Sequence, residues 1–230
     1  MASGAYLYEL GLTPYRDALA VMQELAAART QQAIPDTVML LEHEPVITLG
    51  SRAVRVEELP LADEEYEARG IQIVEVGRGG RSTYHGPGQL VCYPILDLSD
   101  RGRDLRRYVG ALEQTLIATL ADFGVEGRTI EGQHASGVWA GDSKIASIGV
   151  RCARWVTSHG LSLNVDLDLG VYDLFDACGL GGAPFTSLAR ETGETVTTAQ
   201  VREPLLRRLA EVLELELDPL PATEGAGALV

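Results

Sequence analysis

Lysine is almost missing from this chain. Of 19 basic residues one is a lysine, Lys144, and the other 18 are arginine. Arginine therefore serves at nearly every cationic site. Lys144 is either a chance survivor or a residue doing what arginine cannot, since lysine gives up its proton when buried and arginine does not. Cysteine is also scarce. Cys92, Cys152 and Cys178 are odd in number and form no C-x-x-C pair, which excludes a disulfide framework and a zinc ribbon. A reduced, cytoplasmic chain is expected. No G-x-x-x-x-G-K-[ST] loop, H-E-x-x-H pair or G-x-S-x-G elbow occurs, which removes the usual phosphate-loop, zinc-protease and serine-hydrolase readings. No apolar run approaches the roughly 18 residues of a membrane-spanning helix. Positive charge is short overall: the net charge is −14, which argues against nucleic acid and anionic membrane as partners. One local reversal, Arg101, Arg103, Arg106 and Arg107, reads equally as a solvated helix start or as a docking patch for an acidic protein.

The 230 residues suit one domain with its own core, 1–218, followed by a frayed tail, 219–230. Strands are expected at Ala5–Leu10, Val38–Leu41, Val46–Leu49, Ile71–Val76 and Val91–Leu96. Four more are expected at Val125–Ile130, Ser136–Ala140, Ile145–Cys152 and Val156–Val165. Apolar residues at helical spacing predict helices over Tyr15–Gln31 and Asp104–Phe123. A weak acidic helix is expected at Glu57–Arg69, a short one at Tyr172–Ala177, and a last one from Thr198 that Pro204 kinks or delays. Strand follows strand with few helices between. The expected class is α/β (α+β): a mixed, largely antiparallel sheet flanked by helices, not a doubly wound parallel one.

The densest stretch is RGGRSTYHGPGQLVCYPI, from Arg78 to Ile95. It reads as a loop feeding a buried strand. Gly79 and Gly80 would let backbone N–H groups approach a ligand, and Gly86-Pro87-Gly88 would hold His85 in place. Cys92 and Cys152 lie in apolar strands and read as packing residues. Cys178 precedes Gly179 in a glycine-rich loop, where a substrate carbonyl could sit beside the sulfur and backbone N–H groups could face an oxyanion. A thiol nucleophile needs a proton acceptor. His85, His159 and Lys144 are candidates, His134 is a weak one, and His43 reads as a satisfied loop histidine. Spacing does not choose among them.

Several patterns then fall in one order. They are the Arg78–Ile95 stretch, Gly137-Val138-Trp139, Lys144-Ile145-Ala146 with Ile148-Gly149-Val150, His159-Gly160 with Asn164, Cys178-Gly179, and Thr186-Ser187-Leu188. Together they resemble the lipoyl(octanoyl) transferases over residues 40–188. The resemblance implies the catalytic-domain fold shared with biotin and lipoate protein ligases. It also implies transfer of octanoyl from an acyl carrier protein to a lysine of apo lipoyl domains. Those domains belong to 2-oxoacid dehydrogenase complexes and the glycine cleavage H protein. It places the acyl-thioester nucleophile at Cys178 and, at Lys144, the base that favours its thiolate. It assigns acyl binding first to Arg78, Gly79, Gly80 and Arg81, continuing through Ser82, Thr83, Tyr84 and His85. Further binding positions are Ser147, Ile148 and Gly149, then His159, Gly160 and Leu161. No metal or other cofactor is implied. Ala177 stands where the family usually has proline, and Ser147 and Ser162 stand where alanine is common. The alternatives are an ATP-dependent lipoate or biotin ligase on the same fold and a non-catalytic lipoyl-domain binder.

Overall fold

The computed structural model describes residues 3–130 and 136–221; His134 and residues 222–230 of the expected tail lie outside them. In chain order the first elements are β1 (Ser3–Thr13), α1 (Tyr15–Thr30), β2 (Asp36–His43), β3 (Val46–Leu49), α2 (Arg55–Glu58), α3 (Asp63–Glu67) and β4 (Gln72–Glu75). There follow β5 (Ser82–His85), β6 (Gln89–Ile95), α4 (Leu105–Asp122), β7 (Gly127–Arg128), β8 (Gly137–Ala140), β9 (Ser143–Ala153) and β10 (Val156–Asn164). The chain closes with α5 (Leu188–Thr192), α6 (Thr198–Leu213) and β11 (Leu215–Pro219).

Two sheets form. The large one runs β11-β1-β2-β6-β10-β9-β8-β7 and the small one β4-β3-β5. The pairs from β2 to β7 are antiparallel, whereas β1 lies parallel to both β2 and β11. The mixed, largely antiparallel expectation is met. Alternate side chains point to opposite faces of a strand, and here both faces of the large sheet are covered. Val38 and Leu40 of β2 join Cys92, Leu161 and the α4 residues Leu112, Leu116 and Leu120. Met39 and Leu41 pack on the other side with Met22 and Leu25 of α1. This double burial explains why the central strands read as unbroken apolar runs. Truncating any of the α4 leucines to alanine should cost about 2–5 kcal/mol.

Helix α4 starts where Asp104 accepts hydrogen bonds from the N–H groups of Arg106 (2.9 Å) and Arg107 (3.0 Å), a side-chain N-cap. Other expectations shift. Pro60 splits the acidic helix into α2 and α3. Of the strand expected at Val125–Ile130, only Gly127–Arg128 pairs, at the sheet's end. The expected helix at Tyr172–Ala177 is replaced by 3₁₀ turns at Leu169–Asp173 and Ala177–Gly179. There the Tyr172 ring stacks on Phe185 at 3.7 Å, a contact with a distant part of the chain that local periodicity does not encode. Helix α6 starts at Thr198 as expected and runs on past Pro204.

Candidate active site

Lys144 is the second residue of β9, 1 % exposed. The pairing of β8 with β9 slips between Val138 and Trp139, an irregularity of the kind that re-aims a strand side chain. Its Nζ lies 3.6 Å from Cys178 Sγ, donates to the Ser136 carbonyl at 3.3 Å, and sits 5.0 Å from the centre of the Trp139 ring. No described carboxylate lies within 4 Å of it. A buried cation needs a counter-charge, and the sulfur is the neighbouring group able to become one. The backbone holds the same pairing. Lys144 N–H donates to Pro184 O (2.8 Å) and Thr186 N–H donates to Lys144 O (3.0 Å), so the segment leaving the cysteine loop is sewn to the lysine's own strand.

Cys178 sits in the left-handed region, φ 62° and ψ 7°. For a residue with a Cβ this costs roughly 1–2 kcal/mol, and such strain gathers at sites that need a side chain aimed. Gly179 follows at φ 63°, and a Cβ there would meet Arg81 at 2.6 Å. The N–H of Gly179 donates to Asp176 O and that of Leu180 to Ala177 O, each at 3.3 Å, so in this state both serve the turn and not an oxyanion.

A cavity of about 230 Å³ opens beside the pair. One wall is the glycine-rich stretch, with Arg78 to Thr83 and His85 in the lining. Another wall comes from the paired strands β9 and β10, where Gly149 lies beside Gly160 and Ile148 beside Leu161, with Ser147 and His159 also in the lining. Tyr84 is the exception among the expected binding residues. On β5 it alternates with Thr83 and His85 and turns into the second core, against Tyr172. Arg78 is buried and shapes the loop: it donates to Thr48 Oγ1 (2.6 Å), Thr48 O (2.8 Å), Arg81 O (2.8 Å) and Gly79 O (3.0 Å). Gly79 does not offer its N–H to a ligand; it donates to Val150 O at 2.9 Å. Gly149 packs closely against the same arginine: an added Cβ would lie 3.0 Å from Arg78 Cδ and 3.3 Å from Gly79 O.

Residues missed in the sequence complete the site. Leu105 and Val109 of α4 line the cavity, as do Tyr93 and Ser136. Glu58 is the larger omission. It is fully buried, and its carboxylate accepts from Ser82 N–H (2.7 Å), Val54 N–H (2.8 Å) and Arg81 Nε (2.8 Å). Its carbonyl accepts from Asp176 N–H at 2.8 Å, two residues before the cysteine. One residue thus ties α2, the glycine-rich loop and the cysteine turn together. Burial opposes its charge, but those hydrogen bonds outweigh it and hold the carboxyl below its usual range. In sequence it is one glutamate in an acidic run, and nothing marks it out.

The histidines form a second group. His43 donates from Nδ1 to Thr13 O (3.1 Å), so its Nε2 accepts from the Tyr93 hydroxyl (2.9 Å). His85 donates from Nδ1 to Gln89 Oε1 at 2.7 Å. Both nitrogens of His159 are buried without a hydrogen-bond partner among the described residues. Burial pushes His43 down to about 4, His159 to about 3, and His85 well below the usual histidine range. All three are neutral at physiological pH.

The model of the lipoyl protein ligase A/B catalytic domain matches residues 14–210. The chain belongs to that family. Among curated relatives, octanoyltransferase from Roseiflexus sp. (strain RS-1) is 45 % identical over 91 % of this chain and 88 % of its own length. Octanoyltransferase from Solibacter usitatus is 46 % identical over 93 % of this chain and 94 % of its own. In structure, a lipoate-protein ligase A bound with ATP superposes with a TM-score of 0.77 at 16 % identity, covering all of this chain and 92 % of that one. Biotin protein ligase from Aquifex aeolicus gives 0.53 at 13 % identity, covering 92 % and 70 %. These likenesses show the lipoyl and biotin ligase fold, as the sequence resemblance implied. No helix among the described residues is long and apolar enough to cross a membrane.

Proposed function

We propose the following course for the octanoyl transfer that this chain performs. Lys144 takes the proton of the Cys178 thiol, and the thiolate attacks the carbonyl of an octanoyl thioester carried by an acyl carrier protein. The carrier's thiolate leaves and is protonated by the Lys144 ammonium, and octanoyl remains on Cys178 as a thioester. The amine of a lipoyl-domain lysine then attacks this thioester. Lys144 collects the amine's proton, the Cys178 sulfur leaves, and an amide forms. Thioester exchange is nearly balanced and amide formation is downhill, so the second step drives the cycle. The donor arrives activated, and the scheme uses no ATP. Acceptors are the lipoyl domains of 2-oxoacid dehydrogenase complexes and the glycine cleavage H protein. The thiol must stay reduced, which suits the cytoplasm.

The observation that carries this reading is the 3.6 Å approach of Nζ to Sγ at a cavity wall. A slot that buries the octanoyl chain gains about 0.8 kcal/mol per methylene, roughly 5–6 kcal/mol at most. Incubation with octanoyl-carrier protein alone should leave an octanoyl adduct on Cys178, seen by mass spectrometry. An adduct on Cys92 or Cys152, or none, would sink the scheme. The likeness to an ATP-bound ligase favours a second reading, an ATP-dependent ligase. Product formation that requires ATP and proceeds in a Cys178→Ala protein would select it.

A further inference from the structure

We propose that the tip of the β9–β10 hairpin and the start of α4 form the docking surface for the acidic protein that delivers the acyl thioester. The proposal rests on the acyl-cysteine reading above and says where that donor's body sits. Four observations carry it.

Arg154 and Trp155 make the two-residue turn between Ala153 and Val156, with φ of 52° and 67°. Two left-handed residues in a two-residue hairpin are the pattern that selects Asn-Gly, since each Cβ is penalised there. The chain keeps instead its two bulkiest surface residue types. Trp155 is 37 % exposed, and the Arg103 guanidinium lies 6.0 Å from its ring centre. That contact joins the hairpin tip to the residues that open α4. Tryptophan and arginine are the residue types most enriched at interface hot spots.

The charges are left open. Arg29, Arg55, Arg81, Arg101, Arg128, Arg202, Arg207 and Arg208 each hold a carboxylate. Arg103, Arg106, Arg151 and Arg154 are exposed and hold none within 4 Å among the described residues. The nearby carboxylate of Asp104 is spent on capping α4. A chain of net charge −14 has acid to spare, so open arginines gathered on two joined elements suit an acidic partner.

The same elements reach the cavity. Leu105 and Val109 of α4 and Val150 of β9 line it. Strand β9 runs from Lys144 to the tip at about 3.3 Å per residue, roughly 30 Å in all. The cavity lining at Val150 comes within three residues of the end of β9, about 10 Å, so a donor that presents its thioester away from its own body can rest at the tip and enter the cavity there. A lipoyl domain, whose lysine must itself reach the sulfur, needs a nearer seat.

The test compares two donors on the intact protein: octanoyl-carrier protein and octanoyl-N-acetylcysteamine, which has no protein body. In one variant Arg154→Asn and Trp155→Gly restore the turn's preferred residues. Its melting temperature should match or exceed that of the wild type. A second variant, Arg106→Glu, leaves the turn alone. In both, KM for the carrier donor should rise about tenfold, the loss of one hot-spot contact, while kcat/KM for the small thioester and KM for the lipoyl domain stay within about twofold. Rising salt should raise the wild-type carrier KM and affect Arg106→Glu less. An unchanged carrier KM in both variants overturns the surface, as does an equal loss with the small thioester. A loss confined to the lipoyl domain hands the surface to the acceptor and also overturns the proposal. Failure of wild-type Cys178 to take octanoyl from the small thioester refutes the acyl-cysteine reading itself, whatever the variants do.

Discussion

Two sets of titratable side chains gather at the cavity, one lining it and one reaching back from it to the buried His43, and they are treated in opposite ways. Lys144 is given a carbonyl, an aromatic face and a sulfur, a setting in which charge can be created and cancelled within 3.6 Å. His43, His85, His159 and Tyr93 are packed ring against ring, with centroid separations of 5.5–5.9 Å from His43 to His85 and Tyr93 and from Tyr93 to His159. Burial keeps the three histidines neutral and holds the Tyr93 hydroxyl protonated. Histidine is the usual proton carrier at neutral pH. Here its environment disarms it, and the scheme proposed above gives the task to the one lysine.

Experiments that break this contrast rank by size. Cys178→Ala should abolish the octanoyl adduct and cut turnover by at least about 10³–10⁴-fold, as loss of a nucleophile does. Lys144→Arg keeps the charge and removes the base, so turnover should fall about 10²–10⁴-fold. Substantial residual activity in that protein would return a histidine to the role. The histidine group should show itself in stability. Below pH 6.5 the unfolded chain binds protons that the buried rings refuse, so the unfolded state is favoured as pH falls. The contribution is complete above 6.5 and is lost toward 4 for His43 and toward 3 for His159. At about 1.4 kcal/mol per pH unit, His43 alone accounts for about 3 kcal/mol. Denaturant midpoints between pH 7 and 4 measure it, and a flat profile would contradict neutral burial.

Smaller effects sharpen the contrast. Glu58→Gln replaces an acceptor-only group with one that also donates, facing three donors. Stability should fall by about 1–3 kcal/mol, and the rate of Cys178 acylation should fall with KM little changed, because the cysteine turn loses its tether. Equal loss in Glu58→Gln and Glu58→Asp would point to stability alone. Last, His159→Phe removes two unpartnered buried nitrogens, so stability should rise by about 1 kcal/mol and adduct formation should persist. Loss of the adduct would make His159 part of the chemistry.

The chain's central strands and long helices were legible because they follow apolar patterning that burial on both sheet faces requires. The residues proposed to react stand out by oddity: Lys144 by being alone, Cys178 by its glycine neighbours. What stayed hidden depends on contacts between distant segments. β5 is four residues inside a glycine-rich run and becomes a strand only because β3 offers it an edge. Glu58 looks like Glu57 until the fold seals it in. Tyr84 was placed with its neighbours by motif, whereas strand alternation turns it away. Gly79 reads as a ligand-approach position, yet its N–H is spent on Val150 O of β9.

Among the described residues the first strand borders the last. β1 pairs along Ser3–Leu7 with Leu215–Pro219, and Leu220 N–H reaches Leu7 O. During synthesis at about 5–20 residues per second, β1 waits with one edge open for roughly 10–40 s until β11 leaves the ribosome. An unpaired edge invites other chains. Pairing of β1 with β11 therefore comes long after pairing of β1 with β2, and until then that edge of β1 is the exposed one.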